Sequence, residues 1–165
     1  MGMESVAKDG KAAEFLHIAD LLNRQLQVTP LLYGSLGLEK RLETNLNADD
    51  IDVLVPDRLV GNDWPILTAL MLEDGYCVFD EDEHEFRKAD LCVAFAGIDG
   101  LQSFAGVDIS GIPVEMENGI CYLLLELPDY LKVYEASSKD GYRKTVKNKQ
   151  DQDKIDRIRE ALGCS

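Results

Sequence analysis

The sequence predicts a single mixed α/β domain of the α+β kind with a helical tail, and three observations predict it. The chain has 165 residues, the size of one domain, long enough to bury a core without staples. Hydrophobic residues make up 45%, ordinary for a soluble globule. The spacing of apolar residues switches repeatedly between helical and strand periods, in the order α-β-α-β-α-β-β-β-α-α.

Residues Gly10–Gln27 read as an amphipathic helix, because Phe15, Ile18, Ala19, Leu22 and Leu26 recur every three or four positions. Thr29-Pro30 stops it. Leu31-Leu32-Tyr33 is a short strand running into Gly34-Ser35, and Leu36–Leu42 is a short helix before the polar stretch Glu43–Asp49. Asp50–Val55 is a second strand, closed by Pro56-Asp57. Trp64–Glu73 is a helix with Pro65 in its first turn, where a missing N–H costs little. Tyr76–Phe79 and Phe86–Ala96 are expected strands, separated by Asp80–Glu85 with five acids in six residues. Short strands are expected at Val107–Ile109 and Ile112–Met116. Leu123–Ser138 and Tyr142–Leu162 read as two helices, the second striped by Ile155, Ile158 and Leu162. The core is expected over about 12–120 and the C-terminal helices over about 123–162.

With 17 Lys+Arg against 31 Asp+Glu the net charge is −14. Such a surface repels phosphate backbones and anionic lipid, which argues against bulk nucleic acid and membrane as partners. It leaves room for one nucleotide held through cations, which reverse the local sign. The opening MGMESVAKDGKAAEF has no basic region followed by an apolar run, so no secretory signal is expected. Cys77, Cys92, Cys121 and Cys164 form no CxxC, which argues against zinc or a redox dithiol and for reduced cysteines in a cytoplasmic protein.

The chemistry gathers in two pieces. Side chains alternate along a strand, so Asp50 and Asp52 share one face while Ile51, Val53 and Val55 take the other. The two carboxylates then stand roughly 6.5 Å apart, and a hard divalent cation between them would relieve their repulsion. Asp49 falls on the apolar side. Separated from Asp50 by fourteen residues, a strand ends in Gly34-Ser35 at a helix start. Backbone N–H groups and a hydroxyl there suit a phosphate, and glycine admits close approach.

Leu32-Tyr33-Gly34-Ser35 followed by Asp50-Ile51-Asp52-Val53 resembles the signature of the nucleotidyltransferase superfamily. That superfamily holds DNA polymerase β, antibiotic-modifying nucleotidyltransferases and small toxin–antitoxin nucleotidyltransferases. The gap between the pieces is slightly long, implying a modest insertion near Thr44–Ala48. The resemblance spans roughly residues 12–115 in element order, but only the two motif pieces are specific. It implies a polymerase-β-like fold, a small mixed sheet with helices on one side and a helical C-terminus. It implies transfer of a nucleoside monophosphate from a nucleoside triphosphate to a small-molecule or protein hydroxyl, with release of pyrophosphate. Asp50 and Asp52 would bind two Mg²⁺, and Gly34 and Ser35 the β- and γ-phosphates. A third carboxylate is implied on a neighbouring strand: Asp90 is the choice, with Asp108 and Asp99 as competitors. The alternatives are a catalytically silent module that binds nucleotide or a partner, and more remotely a structural protein whose acidic face meets a basic one.

Other features have plainer readings beside these. Asp80–Glu85 lacks the calcium-loop pattern and reads as a solvated turn. His17 reads as a boundary residue of the first helix, and His84 has no nucleophile to serve. Gly34-Ser35-Leu36-Gly37 is not a nucleophile elbow. Arg143, Lys144, Lys147 and Lys149 read either as a solvated helix face or as a clamp on the triphosphate, with Lys149 the nominated contact. Arg87, Lys88 and Arg58 are alternative phosphate contacts.

Overall fold

One face of each central strand is wholly apolar, and that face organises the fold. Leu32, Ile51, Val53, Phe86 and Val93 are fully buried, while their neighbours in sequence point to the opposite side of the sheet. The computed structural model describes residues 3–139 and 148–163, with side chains described for 10–139 and 151–163. The chain divides into two compact units, Met1–Ile98 with Pro113–Leu124, and Asp99–Ile112 with Leu125–Ser165.

The first unit holds the whole sheet. Its helices are α1 (Met3–Leu26), α2 (Gly34–Leu42) and α3 (Trp64–Glu73). Its strands are β1 (Leu31–Tyr33), β2 (Ile51–Val55), β3 (Cys77–Asp80), β4 (Glu85–Lys88), β5 (Leu91–Gly97), β6 (Val114–Glu117) and β7 (Ile120–Leu124). The sheet order is β3-β4-β5-β2-β1-β7-β6. Pairs β1–β7 and β2–β5 are parallel and the rest antiparallel, so the sheet is mixed as expected.

Contacts put α1, α2 and α3 on the same, apolar face. Phe15 of α1 meets Tyr122 of β7 edge-on at 5.4 Å, and Trp64 of α3 lies 5.2 Å from Phe86. Lys40 and Arg41 of α2 pair with Glu117 and Glu115 of β6. At the end of α1, the Asn23 side-chain amide donates to the carbonyls of Val28 and Cys121 and its oxygen accepts from Cys121 N–H. That clip ties the entry of β1 to β7.

The second unit contains α4 (Leu101–Ala105), α5 (Leu127–Ser138) and a third helix, α6 (Asn148–Ala161). Ile155 and Ile158 of α6 are buried, as their stripe predicts. Ser137 of α5 donates to the buried carboxylate of Asp151, and Arg159 pairs with Glu135 at 2.6 Å.

Four expectations are corrected. Phe86–Ala96 is not one strand: Glu85–Gly97 is a hairpin, with Ala89 at φ 53° and Asp90 in its turn. Val107–Ile109 is not a strand, and Ile109–Gly111 is a short 3₁₀ turn. Leu123 and Leu124 end β7 rather than start a helix, and α5 begins at Leu127 behind Pro128. Strand β2 begins at Ile51, leaving Asp50 in a bend just before it. The expected helix over 142–162 is described from Asn148, and residues 140–147, with Arg143, Lys144 and Lys147, lie outside the described residues.

Candidate functional site

Strand β1 runs antiparallel to β2 with Tyr33 opposite Asp52. The chain therefore leaves β1 at Gly34 directly over the Asp52 side chain. Gly34 takes φ 64°, and a Cβ built on it would fall 2.3 Å from Asp52 Oδ2. Two causes, a left-handed backbone and a carboxylate in the way, make this a glycine position. The two motif pieces, fourteen residues apart in the chain, thus touch. Ser35 follows in the first turn of α2, a nine-residue helix whose N-terminus has no side-chain cap. The positive end of its dipole lies at this turn, beside the Asp52 carboxylate.

The segment delivering Asp50 is pinned from two sides. Buried Glu39 Oε2 accepts from Leu46 N–H at 3.1 Å and Ala48 N–H at 3.0 Å. Lys11 Nζ donates to Ala48 carbonyl at 2.7 Å. The extra residues near Thr44–Ala48 are folded around the Glu39 carboxylate. Asp50 is exposed and Asp52 half-buried.

The site face continues across the sheet in rows set by strand register. Tyr33, Asp52, Ala94 and Glu85 are successive partners on β1, β2, β5 and β4. One row along, Asp50 stands level with Cys92, the partner of Arg87. Burial, and then the charges of Asp50 and Glu85, push the Cys92 thiol up to about 11, so it stays protonated. Arg87 also lies over the Phe79 ring at 3.6 Å.

Asp90 is not in this row. It sits in the β4–β5 turn, four residues before Ala94, or roughly 13 Å along the strand from the level of Asp52. Asp99 and Asp108 belong to the second unit, and Asp108 caps a 3₁₀ turn by accepting from Ser110 N–H and Oγ. Arg58 pairs with Asp63 beyond the C-terminal end of β2, away from the Asp50 end. Lys88 points to the opposite face, 3.5 Å from Glu14 and 3.4 Å from Asp74. Lys149 lies in α6, and its side chain is outside the described residues. His17 Nε2 lies 2.8 Å from Asp74, and His84 packs edge-on against Trp64 at 4.6 Å.

Asp52 on β2 and Asp50 in the bend before it offer the hard oxygen donors that Mg²⁺ prefers, and would hold it. Among the described residues, one group of three metal-capable side chains brings its ligand atoms within 4.8 Å of one another: Glu14, His17 and Asp74. That group lies on the helix-covered face, and Tyr76 donates to Glu14 there. The Lys88 ammonium beside both of its carboxylates already supplies a cation. The residue missed from sequence is Glu85, whose position on the site face emerges only once the hairpin is known.

No family model matches the chain. Over 142 residues, 86% of this chain and 91% of the other, it is 42% identical to the uncharacterized protein YnaI of Bacillus subtilis (strain 168). The chain belongs to the YnaI family. In structure it is similar to the aminoglycoside nucleotidyltransferase ANT(2'')-Ia, solved as a crystal structure with adenylyl-2''-tobramycin. That match has a TM-score of 0.55 at 13% identity and covers 90% of this chain and 88% of the other. A solution structure of ANT(2'')-Ia matches at a TM-score of 0.51 and 15% identity, covering 98% and 92%. The mixed α/β fold is therefore similar to that of ANT(2'')-Ia. Among the described residues no helix is long and apolar enough to cross a membrane.

Proposed function

We propose that this chain is a polymerase-β-like, metal-dependent nucleotidyltransferase. It would move a nucleoside monophosphate from a nucleoside triphosphate to an acceptor hydroxyl and release pyrophosphate. The observation that carries this reading is the close approach of Gly34 to Asp52, which sets the backbone turn at the start of α2 against a carboxylate. Gly34, Ser35 and the open end of α2 would hold the β- and γ-phosphates through N–H and hydroxyl donors. Asp50 and Asp52 would hold Mg²⁺. When bound, the cation supplies neutralisation of the triphosphate and of the pyrophosphate as it leaves. In the transfer, the acceptor oxygen bonds the α-phosphorus as the bond to pyrophosphate breaks.

A small-molecule acceptor is favoured over a protein one, because the fold neighbour was captured with adenylyl-2''-tobramycin. The site face bears Asp50, Asp52 and Glu85 in a chain of net charge −14, which suits a cationic acceptor. The three described cysteines are free thiols, which accords with a cytoplasmic setting. A second reading, a silent nucleotide-binding module of the same fold, is favoured by Cys92 and Ala94, the non-acidic residues that β5 places beside Asp50 and Asp52. The test is incubation with Mg²⁺, the four α-labelled nucleoside triphosphates and a panel of polyamine, aminoglycoside and protein acceptors. Label transfer that disappears in Asp52→Asn supports the enzyme. Nucleotide binding without transfer supports the silent module, and neither binding nor transfer refutes both.

A further inference from the structure

The sheet order gives the proposed site a direction of approach. Gly34 and Ser35 lie on the β1 side of Asp52, and β5, β4 and β3 extend on its other side. In an in-line displacement the entering oxygen stands opposite the leaving group. With pyrophosphate leaving toward Gly34 and Ser35, an acceptor comes in over β5, β4 and β3. That stretch of the site face is open. Ala94 gives it a low floor beside Asp52, and Ala96, Arg87, Cys77 and Phe79 are exposed along it.

Phe79 stands at the far end, on the edge strand, three strand spacings or about 14 Å from Asp52. Its ring is on the site face, because the guanidinium of Arg87, the cross-strand partner of Cys92, lies 3.6 Å from the ring centroid. That cation holds the ring from one side, yet Phe79 is 56% exposed, which leaves ring surface for a second partner. Next to it, Asp80 stands directly opposite Glu85, in the row of Asp52 and Ala94. Like charges directly opposite one another on neighbouring strands repel. Arg87 approaches Glu85 only to 3.9 Å, and the turn adds the exposed acids Glu81, Asp82 and Glu83. A protonated amine beside Asp80 and Glu85 would relieve that repulsion.

Resting on the proposed function, we infer that β3 and the turn after it recognise the acceptor: Phe79 stacks on a ring of it, while Asp80 and Glu85 take a protonated amine that it carries. Arg87 is a positioning residue that holds the Phe79 ring. The acceptor class this fits is an extended, ring-bearing amine whose hydroxyl reaches Asp52 while its far end rests on β3. An aminated sugar and an aromatic amine share that chemistry.

The experiment is calorimetric titration of the full chain, loaded with Mg²⁺ and a non-hydrolysable nucleoside triphosphate, with three probes: tobramycin, tyramine and the ringless amine spermine. At least one ring-bearing probe should bind the wild-type chain and bind Phe79→Ala at least tenfold more weakly, with any spermine binding changed less than twofold. Phe79→Tyr should restore the ring-bearing probe to within threefold, and Asp80→Asn should weaken it at least threefold. Binding confined to tobramycin identifies the sugar source, and binding confined to tyramine the aromatic one. Phe79 is exposed on an edge strand, and far-ultraviolet circular dichroism would show that Phe79→Ala is folded. The inference is overturned, with the nucleotidyltransferase reading intact, if nucleotide binds but neither ring-bearing probe does. It is also overturned if Phe79→Ala or Asp80→Asn binds those probes like wild type, or if spermine loses as much as they do. If the wild-type chain shows no Mg²⁺-dependent nucleotide binding, the functional reading itself fails and takes the inference with it.

Discussion

Replacing Gly34 by alanine perturbs the contact on which the site is built, and its cost can be worked out. At φ 64° an L-residue other than glycine pays roughly 1–2 kcal/mol for left-handed backbone. The new methyl would also sit 2.3 Å from Asp52 Oδ2, so the carboxylate must swing away. For a domain of this size each kcal/mol moves the melting temperature by about 2–4 °C, so Gly34→Ala should melt about 2–8 °C lower. A matched control is Gly10→Ala. Gly10 is exposed within α1, and a methyl group added there would meet nothing within 4 Å. At that position alanine gains about 0.8–1.0 kcal/mol of helix propensity and should raise the melting temperature. Differential scanning calorimetry of both variants, followed by Mg²⁺-dependent nucleotide binding, is the assay. Gly34→Ala should lose at least tenfold in nucleotide affinity while Gly10→Ala binds like wild type. A Gly34→Ala protein that is as stable as Gly10→Ala and binds nucleotide normally would refute the placement of the turn against Asp52.

The remaining predictions concern the supports of the site and the surrounding sheet. Glu39→Ala leaves the N–H groups of Leu46 and Ala48 without their acceptor, at about 1–3 kcal/mol for each donor stranded in the interior; urea denaturation measures it. Cys77 is exposed and Cys92 is buried with its thiol pushed up to about 11, so iodoacetamide at pH 8 should label Cys77 before Cys92; mass spectrometry decides. Hydrogen bonds from Lys40 and Tyr122 hold the Glu117 carboxyl below its ordinary value of 4.5. Its contribution is complete above that value and lost as pH falls through the lower folded one. Glu117→Gln should therefore be less stable than wild type at pH 7, and the gap should narrow as pH falls below 4.5, as thermal melts across that range would show.

What can be read from sequence depends on how local the signal is. Strand β1 and helix α3 have the bounds their residues imply, because Pro30 and Gly34 bracket the first and Pro65 opens the second. The hairpin of β4 and β5 is illegible because its turn, Ala89-Asp90, has neither glycine nor asparagine, and Ala89 adopts φ 53° under tertiary constraint. Strand β7 looks helical in sequence because Cys121–Leu127 is nearly unbroken in apolar character, and periodicity cannot separate a buried strand from a buried helix. The Gly-Ser turn and the Asp-Ile-Asp strand are legible because each is a short motif whose chemistry is written in consecutive residues. Glu85 is not, since its place beside Asp52 is a matter of register across three strands, and in sequence it merges with Asp80–Glu83.

The most direct measurement is calorimetric titration of the wild-type chain and of Asp52→Asn with non-hydrolysable nucleoside triphosphates, each with and without Mg²⁺. The account predicts binding to the wild-type chain that needs Mg²⁺ and is lost in Asp52→Asn. Nucleotide binding that persists in Asp52→Asn, or that is indifferent to Mg²⁺, would contradict it.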